Sequence, residues 1–252
     1  MRYVLPIGIT HQGTLLRDFT LSRPTGALRG ELRDAPNHIP GMDLVAFKHV
    51  VKTLGVLDHP NDHLLRKLTQ PDVQYLHACC TAARFNGTLP VKGQCPMCDH
   101  KFEDSVNADQ VAILDADATI TFQDDQAVMT VETTLPSTGS KVQVAYRIPT
   151  LGLEIRSEEA KKRGLKESAA MYQRLADSIL SIDGKPAPSA RQLQEMDLDD
   201  LDAITAAMDD VKVPHLDDEA LLLCPECGAE TKAPVLFEWW ILPFDPRKAK
   251  KP

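Results

Sequence analysis

The sequence predicts an α+β fold, and three observations carry the prediction. Apolar residues recur at helical spacing in the first third, alternate through the middle, and return to helical spacing from residue 157. Turn chemistry such as Pro136-Ser137-Thr138-Gly139 separates the alternating runs. Two Cys-Pro-x-Cys knuckles, Cys95-Pro96-Met97-Cys98 and Cys224-Pro225-Glu226-Cys227, bracket the middle of the chain. The expected architecture has an N-terminal β-hairpin and helices, central antiparallel strands and C-terminal helices. A split zinc-ribbon-like module joins the two distant knuckles.

In chain order, residues 2–22 read as a hairpin: an apolar extended run, His11-Gln12-Gly13-Thr14 as the turn, then an alternating run. A polar helix over 25–33 is stopped by Pro36. Residues 43–54 carry Leu44, Val45, Phe47, Val50, Val51 and Leu54, most on one helical face. Helices over 61–68 and 71–85 start at Pro60 and Pro71. Past the first knuckle, 111–122, 127–135 and 142–148 alternate as strands. Residues 165–180 place Leu165, Ala169, Tyr172, Leu175, Ala176 and Ile179 at helical spacing, ended by Ile182-Asp183-Gly184-Lys185. Pro186-Ala187-Pro188-Ser189 is a stiff linker. An acidic helix over 196–208 has Asp197 as N-cap and turns Leu198, Leu201, Ile204 and Met208 inward. Two extended stretches over 213–237 flank the second knuckle, and Glu238-Trp239-Trp240-Ile241-Leu242 closes the ordered chain before a basic tail. The expected units are 1–90, 91–150, 151–212, 213–242 and the tail 243–252.

Composition excludes several function classes. A hydrophobic content of 43% is that of a soluble chain with a real core, and no apolar run has the length of a membrane span. The start, Met1-Arg2-Tyr3-Val4-Leu5-Pro6, lacks the apolar core of a signal peptide. A reducing cytoplasm is therefore expected, where paired cysteines mean metal more often than disulfide. The net charge of -8 argues against a nucleic-acid footprint. Arg247-Lys248-Ala249-Lys250-Lys251, the only dense basic cluster, reads as a solvated tail.

The knuckles carry the specific chemistry. A tight C-x2-C turn points both sulfurs the same way, and a tetrahedral zinc shell needs four ligands. Cys95, Cys98, Cys224 and Cys227 supply them if the fold returns the chain across residues 99–223. Gly228 suits the position after its knuckle, where positive φ turns backbone N–H groups toward sulfur, and Asp99 tolerates that conformation less well. The alternative is four buried or redox-active thiols without metal. A thioredoxin-like dithiol would have to open a helix in a βαβ unit, and neither knuckle does. Cys79 and Cys80, adjacent on a helix, point about 100° apart and read as buried hydrophobes. His77 and His100 rank below the four cysteines as ligands.

Four thiolates close the shell and leave no open position for Lewis-acid chemistry, so a bound zinc is expected to be structural. There is no His-x-Glu of the deaminase pattern, no Walker loop, no G-x-S-x-G, no His-Glu-x-x-His and no G-x-G-x-x-G. A non-enzymatic protein is expected.

The order of these elements resembles the zinc-knuckle branch of the tail-baseplate proteins of contractile-tailed bacteriophages, related to the T-even baseplate-hub assembly chaperones. Four stretches carry the likeness: Val4-Leu5-Pro6-Ile7-Gly8 with Phe19-Thr20-Leu21-Ser22-Arg23-Pro24-Thr25-Gly26; the helical region 62–76 leading to the first knuckle; Thr134-Leu135-Pro136-Ser137-Thr138-Gly139 with its partner strand to Arg147; and 179–185, then 198–208, then Cys224-Pro225-Glu226-Cys227-Gly228. Asp99 in place of glycine and the basic tail depart from that pattern. The resemblance implies a baseplate or hub component, or a chaperone of its assembly, found in the virion tail or in the host bacterial cytoplasm, with other tail and hub proteins as partners. The competing expectation is a nucleic-acid-binding zinc-ribbon accessory protein. Lys92, Lys101 and Lys232 near the knuckles would serve it, but Glu103, Asp104, Glu226 and Glu230 offset them. A metal hydrolase using His77, His100 or His215 is the third.

Overall fold

The computed structural model describes residues 2–111, 113–114 and 119–237, and its fold is α+β. β1 (Arg2–His11) and β2 (Thr14–Leu21) form the expected hairpin. α1 (Gly26–Asp34) follows, burying Leu28. The helix expected over 43–54 is instead α2 (Ile39–Val50), capped by the His38 ring accepting from the Gly41 N–H at 3.0 Å. Residues expected to finish that helix form β3 (Val51–Leu54), because the open side of β2 offers pairing. The Thr20 and Thr53 hydroxyls meet across that pair at 2.7 Å. β4 (Leu57–Asp58) completes a four-stranded antiparallel sheet.

The helix expected over 61–68 shortens to one turn, α3 (Asp62–Leu65), capped by Asn61. The reason lies in the next segment, whose backbone is committed elsewhere. Leu151 N–H donates to Leu68 O at 2.8 Å, Gly152 N–H to Arg66 O at 2.8 Å, and Gln70 N–H to Pro149 O at 3.0 Å. α4 (Gln70–Arg84) then runs through the middle of the molecule.

β5 (Thr88–Gln94) and β6 (Lys101–Asn107) flank the first knuckle. The alternation expected over 111–122 becomes two short strands, β7 (Ile113–Leu114) and β8 (Thr121–Gln123); residues 112 and 115–118 lie outside the described residues. β9 (Gln126–Thr134) and β10 (Lys141–Arg147) pair as expected. Helix resumes at α5 (Leu151–Lys162), six residues before the expected 157, because Thr150 caps it there and accepts from Leu153 N–H at 3.3 Å. α6 (Glu167–Ser178) is shorter than the expected 165–180. Its supposed end is β11 (Ile179–Ile182), drawn onto the free side of β10. Asp183 and Gly184 at positive φ turn β11 into β12 (Lys185–Pro186), so the Pro-rich linker begins as a strand.

α7 (Ala190–Gln194) and α8 (Leu198–Asp210) follow, with Asp197 capping α8 as expected. Leu201 and Ile204 point inward as predicted, but Leu198 is 66% exposed. The β9–β10 turn meets α8 at Asp200, where Ser137 N–H donates to the carboxylate at 2.9 Å, so Leu198 lies past the end of the sheet. β13 (His215–Leu216), β14 (Glu219–Leu223) and β15 (Glu230–Pro234) end the described chain. Residues 238–242 and the basic tail lie outside it.

Among the described residues three hydrophobic cores form. Leu5, Phe19, Phe47, Leu54, Leu76 and Ile155 join the four-stranded sheet to α2, α4 and α5. Met129, Val144, Tyr146 and Ile204 join the sheet β12-β11-β10-β9-β8 to α8. Ala78 and Ala82 of α4 pack on Leu89, Val91, Leu216, Ala233 and Val235.

Asp72, fully buried, ties these layers together. The β1–β2 register slips between Val4 and Ile9, which leaves backbone groups without ladder partners. Asp72 accepts from Ile7 N–H at 2.9 Å and Gly8 N–H at 3.2 Å, and from the Thr69 hydroxyl at 2.7 Å. Arg17 donates to the freed carbonyls of Leu5 and Pro6, each at 2.8 Å. Gly8, at φ 90°, is required there: a Cβ would lie 2.5 Å from Arg17 Cγ. Burial pushes the Asp72 carboxyl upward, and its bonds to Ile7, Thr69 and Gly8 pull it back. Because every partner is a donor, the ionised carboxylate is the form that satisfies them.

Replacing Asp72 by Ala strands two buried backbone donors and uncaps α4. Urea unfolding should show a loss of about 3 kcal/mol or more. Asp72→Asn keeps the volume but directs an amide donor at other donors, and should cost nearly as much. A loss under about 1 kcal/mol, the net worth of one ordinary hydrogen bond, would show the carboxylate to be dispensable.

Candidate metal centre

Each knuckle is the turn of a short hairpin, β5–β6 for the first and β14–β15 for the second. The two turns are built alike. Asp99 N–H donates to Cys95 O at 2.9 Å and Gly228 N–H to Cys224 O at 2.8 Å; Cys95 N–H returns to His100 O at 2.9 Å and Cys224 N–H to Ala229 O at 2.8 Å. Asp99 and Gly228 occupy matching positions at φ 57° and 72°. Asp99 thus adopts the conformation for which the sequence made it the poorer residue. The hairpins meet side by side: Val91 bridges Val235, and Leu236 N–H donates to Pro90 O at 2.9 Å.

That contact brings together all four cysteines predicted as ligands. The sulfurs of Cys95, Cys98, Cys224 and Cys227 lie within 4.8 Å of one another. Across the hairpins, Cys95 Sγ is 3.6 Å from Cys227 Sγ, and Cys98 Sγ is 3.7 Å from Cys224 Sγ. A tetrahedron with metal–sulfur bonds of about 2.3 Å has edges of about 3.8 Å, so the cluster fits one four-coordinate ion. Cys95 and Cys224 are buried, whereas Cys98 and Cys227 face solvent.

The knuckle backbone already favours negative charge on sulfur. Burial works against ionisation of Cys95, yet the N–H groups of Met97 and Cys98 and the thiols of Cys227 and Cys98 bring it down to about 6. The His100 N–H lowers Cys98, but burial and the neighbouring sulfurs of Cys227, Cys224 and Cys95 outweigh it and push the thiol up to about 12. Bare sulfurs this close cannot all ionise. A divalent cation removes that conflict, and the chemistry of the donor set is that of zinc or another thiophilic ion.

The other candidates lie elsewhere or point elsewhere. His100 contributes backbone groups to the first knuckle, and its ring is not among the clustered ligands. His77 is buried in α4, 3.3 Å from Asp43 Oδ1 and against the Phe47 ring. Burial pushes the Cys79 thiol up to about 12 and Cys80 well above its ordinary value, which keeps both protonated inside the core. His215 directs its Nδ1 at Val213 O, 2.8 Å away. Asp72 escaped sequence reasoning, although the Thr69-x-x-Asp72 spacing is a readable helix-start signal.

Comparison of the chain with family models, with curated proteins and with solved structures gives no match.

Asp99→Gly should stabilise the protein by roughly 0.5–1 kcal/mol, since it relieves a left-handed non-glycine residue without removing a ligand. Thermal unfolding of the metal-loaded protein checks this, and a lowered midpoint would contradict it. Metal and proton compete for the same sulfurs, so affinity must fall as pH falls. A cobalt titration followed by thiolate charge-transfer absorbance should show progressively weaker binding on acidification, and a flat pH profile would rule out thiolate ligation.

Proposed function

We propose that this chain is a non-enzymatic protein of contractile phage tail assembly. A structural zinc on Cys95, Cys98, Cys224 and Cys227 holds its fold, and it works through protein–protein contacts at the baseplate hub. The observation that carries the structural role is the closure of the cluster: four thiols complete a tetrahedral shell and reserve no position for water or substrate. The four sequence stretches that resemble tail-baseplate proteins support the tail assignment, and an acidic chain suits protein partners. Hub component and assembly chaperone are the two forms that role takes.

The nucleic-acid reading gains nothing from the module's surface. Lys92 pairs with Glu103, and Lys232 pairs with Glu219 at 2.9 Å, so two of its basic residues are matched to acids on the neighbouring strand.

Purified protein should contain one zinc per chain, and chelation should cost the fold of the β5–β6 and β14–β15 module, read by loss of its amide protection from hydrogen exchange. Protein free of metal would end the zinc claim. Expressed in cells that assemble tails, the tagged chain should co-purify with hub proteins; consistent failure would end the tail assignment, and salt-sensitive micromolar binding to nonspecific DNA would favour the alternative.

A further inference from the structure

The four clustered cysteines differ in access as well as in position. Cys98 and Cys227 face solvent, whereas Cys95 and Cys224 are buried. The close approaches across the hairpins always join one of each kind. Exposed Cys98 Sγ lies 3.7 Å from buried Cys224 Sγ, and exposed Cys227 Sγ lies 3.6 Å from buried Cys95 Sγ. Each outward sulfur therefore has an inward partner on the opposite hairpin, in van der Waals contact. Backbone bonds fix the inward residues: Met97 N–H donates to Cys95 Sγ at 3.4 Å, and Gly228 N–H donates to Cys224 O at 2.8 Å. Cys79 and Cys80 take no part, because both are buried in the first core.

An accessible sulfur backed by a second sulfur is the arrangement of a peroxide-reactive cysteine and its resolving partner. We infer that a hydroperoxide converts this metal centre into two disulfides, Cys98–Cys224 and Cys95–Cys227, which tie the same hairpins once the ion has left. In the first step an outward thiolate attacks the hydroperoxide. An S–O bond forms, the O–O bond breaks, hydroxide or alkoxide leaves, and the sulfur is oxidised by two electrons to a sulfenic acid. The inward thiolate then attacks that sulfur. An S–S bond forms, the S–O bond breaks and hydroxide leaves.

Each pair consumes one hydroperoxide, and after both have reacted no thiolate is left to hold the ion. Two equivalents of a dithiol return the four electrons and restore the ligands. Disulfides within each knuckle would also release the ion, but they would leave the hairpins unlinked. The cross-hairpin pairs instead replace one long-range staple with another, joining residues 126 and 132 positions apart. The oxidised module stays closed where metal is scarce or chelated. This device rests on the reading of the four cysteines as a metal centre. The metal content of the reduced chain tests that reading, the disulfide map tests the device, and either can fail alone.

The zinc-loaded full chain is treated with hydrogen peroxide while a chromogenic chelator reports released metal. The ion should be released as two peroxides are consumed per chain. Peptide mapping by mass spectrometry should then find Cys98–Cys224 and Cys95–Cys227, with Cys79 and Cys80 still reduced. Dimedone present from the start should tag Cys98 and Cys227 at least tenfold more than Cys95 and Cys224. After oxidation a chelator should no longer lower the thermal midpoint, and dithiothreitol should restore zinc uptake. Cys224→Ser removes one inward partner, so Cys98 should accumulate as the dimedone-trapped sulfenic acid while Cys95–Cys227 still forms. If that variant fails to fold, the map of the unaltered chain decides. Disulfides within the knuckles, zinc retained through the treatment, or oxidation that stops at sulfinic acid would each overturn the inference. So would dimedone labelling concentrated on Cys95 or Cys224.

Discussion

A single buried carboxylate sets the relation between the layers of this protein. Asp72 caps the helix that starts at Thr69 and, with the same oxygens, holds the irregular stretch of β1. Ladder pairing cannot satisfy Ile7 and Gly8, and water cannot reach them, so their donors need a fixed acceptor. The irregularity has a use. Leu5 and Ile9 pack into one core, while Ile7 packs into the core of the other sheet. One strand thereby serves two sheets, and the helix that corrects its hydrogen bonding is the helix packed against it. Val73, Leu76, Cys79 and Cys80 commit that helix to the first core, and Ala78 and Ala82 commit its other face to the third.

The cysteine cluster lies at the ends of two hairpins that share no turn of sequence. Their association rests on an apolar core in which Leu89, Val91, Leu216, Ala233 and Val235 pack on Ala78 and Ala82 of α4, with Val106, Leu222 and Phe237 partly buried beside them. Beyond that core each knuckle is held by its own pair of backbone hydrogen bonds. The electrostatics agree: against burial, the N–H groups of Met97 and Cys98 and the adjacent thiols bring Cys95 down, while Cys98, lowered by the His100 N–H, is pushed up by burial and the neighbouring sulfurs, a conflict that a bound cation would resolve.

How much of this was legible in the sequence follows from the range of each interaction. Both knuckles could be read, because a chelating turn is specified by four consecutive residues. So could the first hairpin, the β9–β10 pair and the Asp197 cap, which are local too. The ends of α2 and α6 were not legible. Val51 and Leu54 satisfy a helical period as well as an alternating one, and so does Ile179; the deciding factor was an open strand edge remote in sequence, β2 for the former and β10 for the latter. The partners of Asp72 were hidden for the same reason. Its capping role is local, but Ile7 and Gly8 lie 65 and 64 positions away. That Asp99 accepts a left-handed conformation could only be seen once the matched bonds of the two turns were in view.

The separation of the two knuckles bears on how the protein is made. The sulfurs that meet are 126 and 132 positions apart, so no local event can complete the site. On the ribosome the first hairpin emerges with two thiolates and must wait for nearly half the chain before the others exist. At roughly 5–20 residues per second that interval lasts about 6–25 seconds, long compared with the folding of either hairpin. During it Cys95 and Cys98 stand without the two sulfurs that complete the cluster. Chain direction therefore fixes the order of assembly: the first knuckle always waits for the second, and the cluster closes late in synthesis.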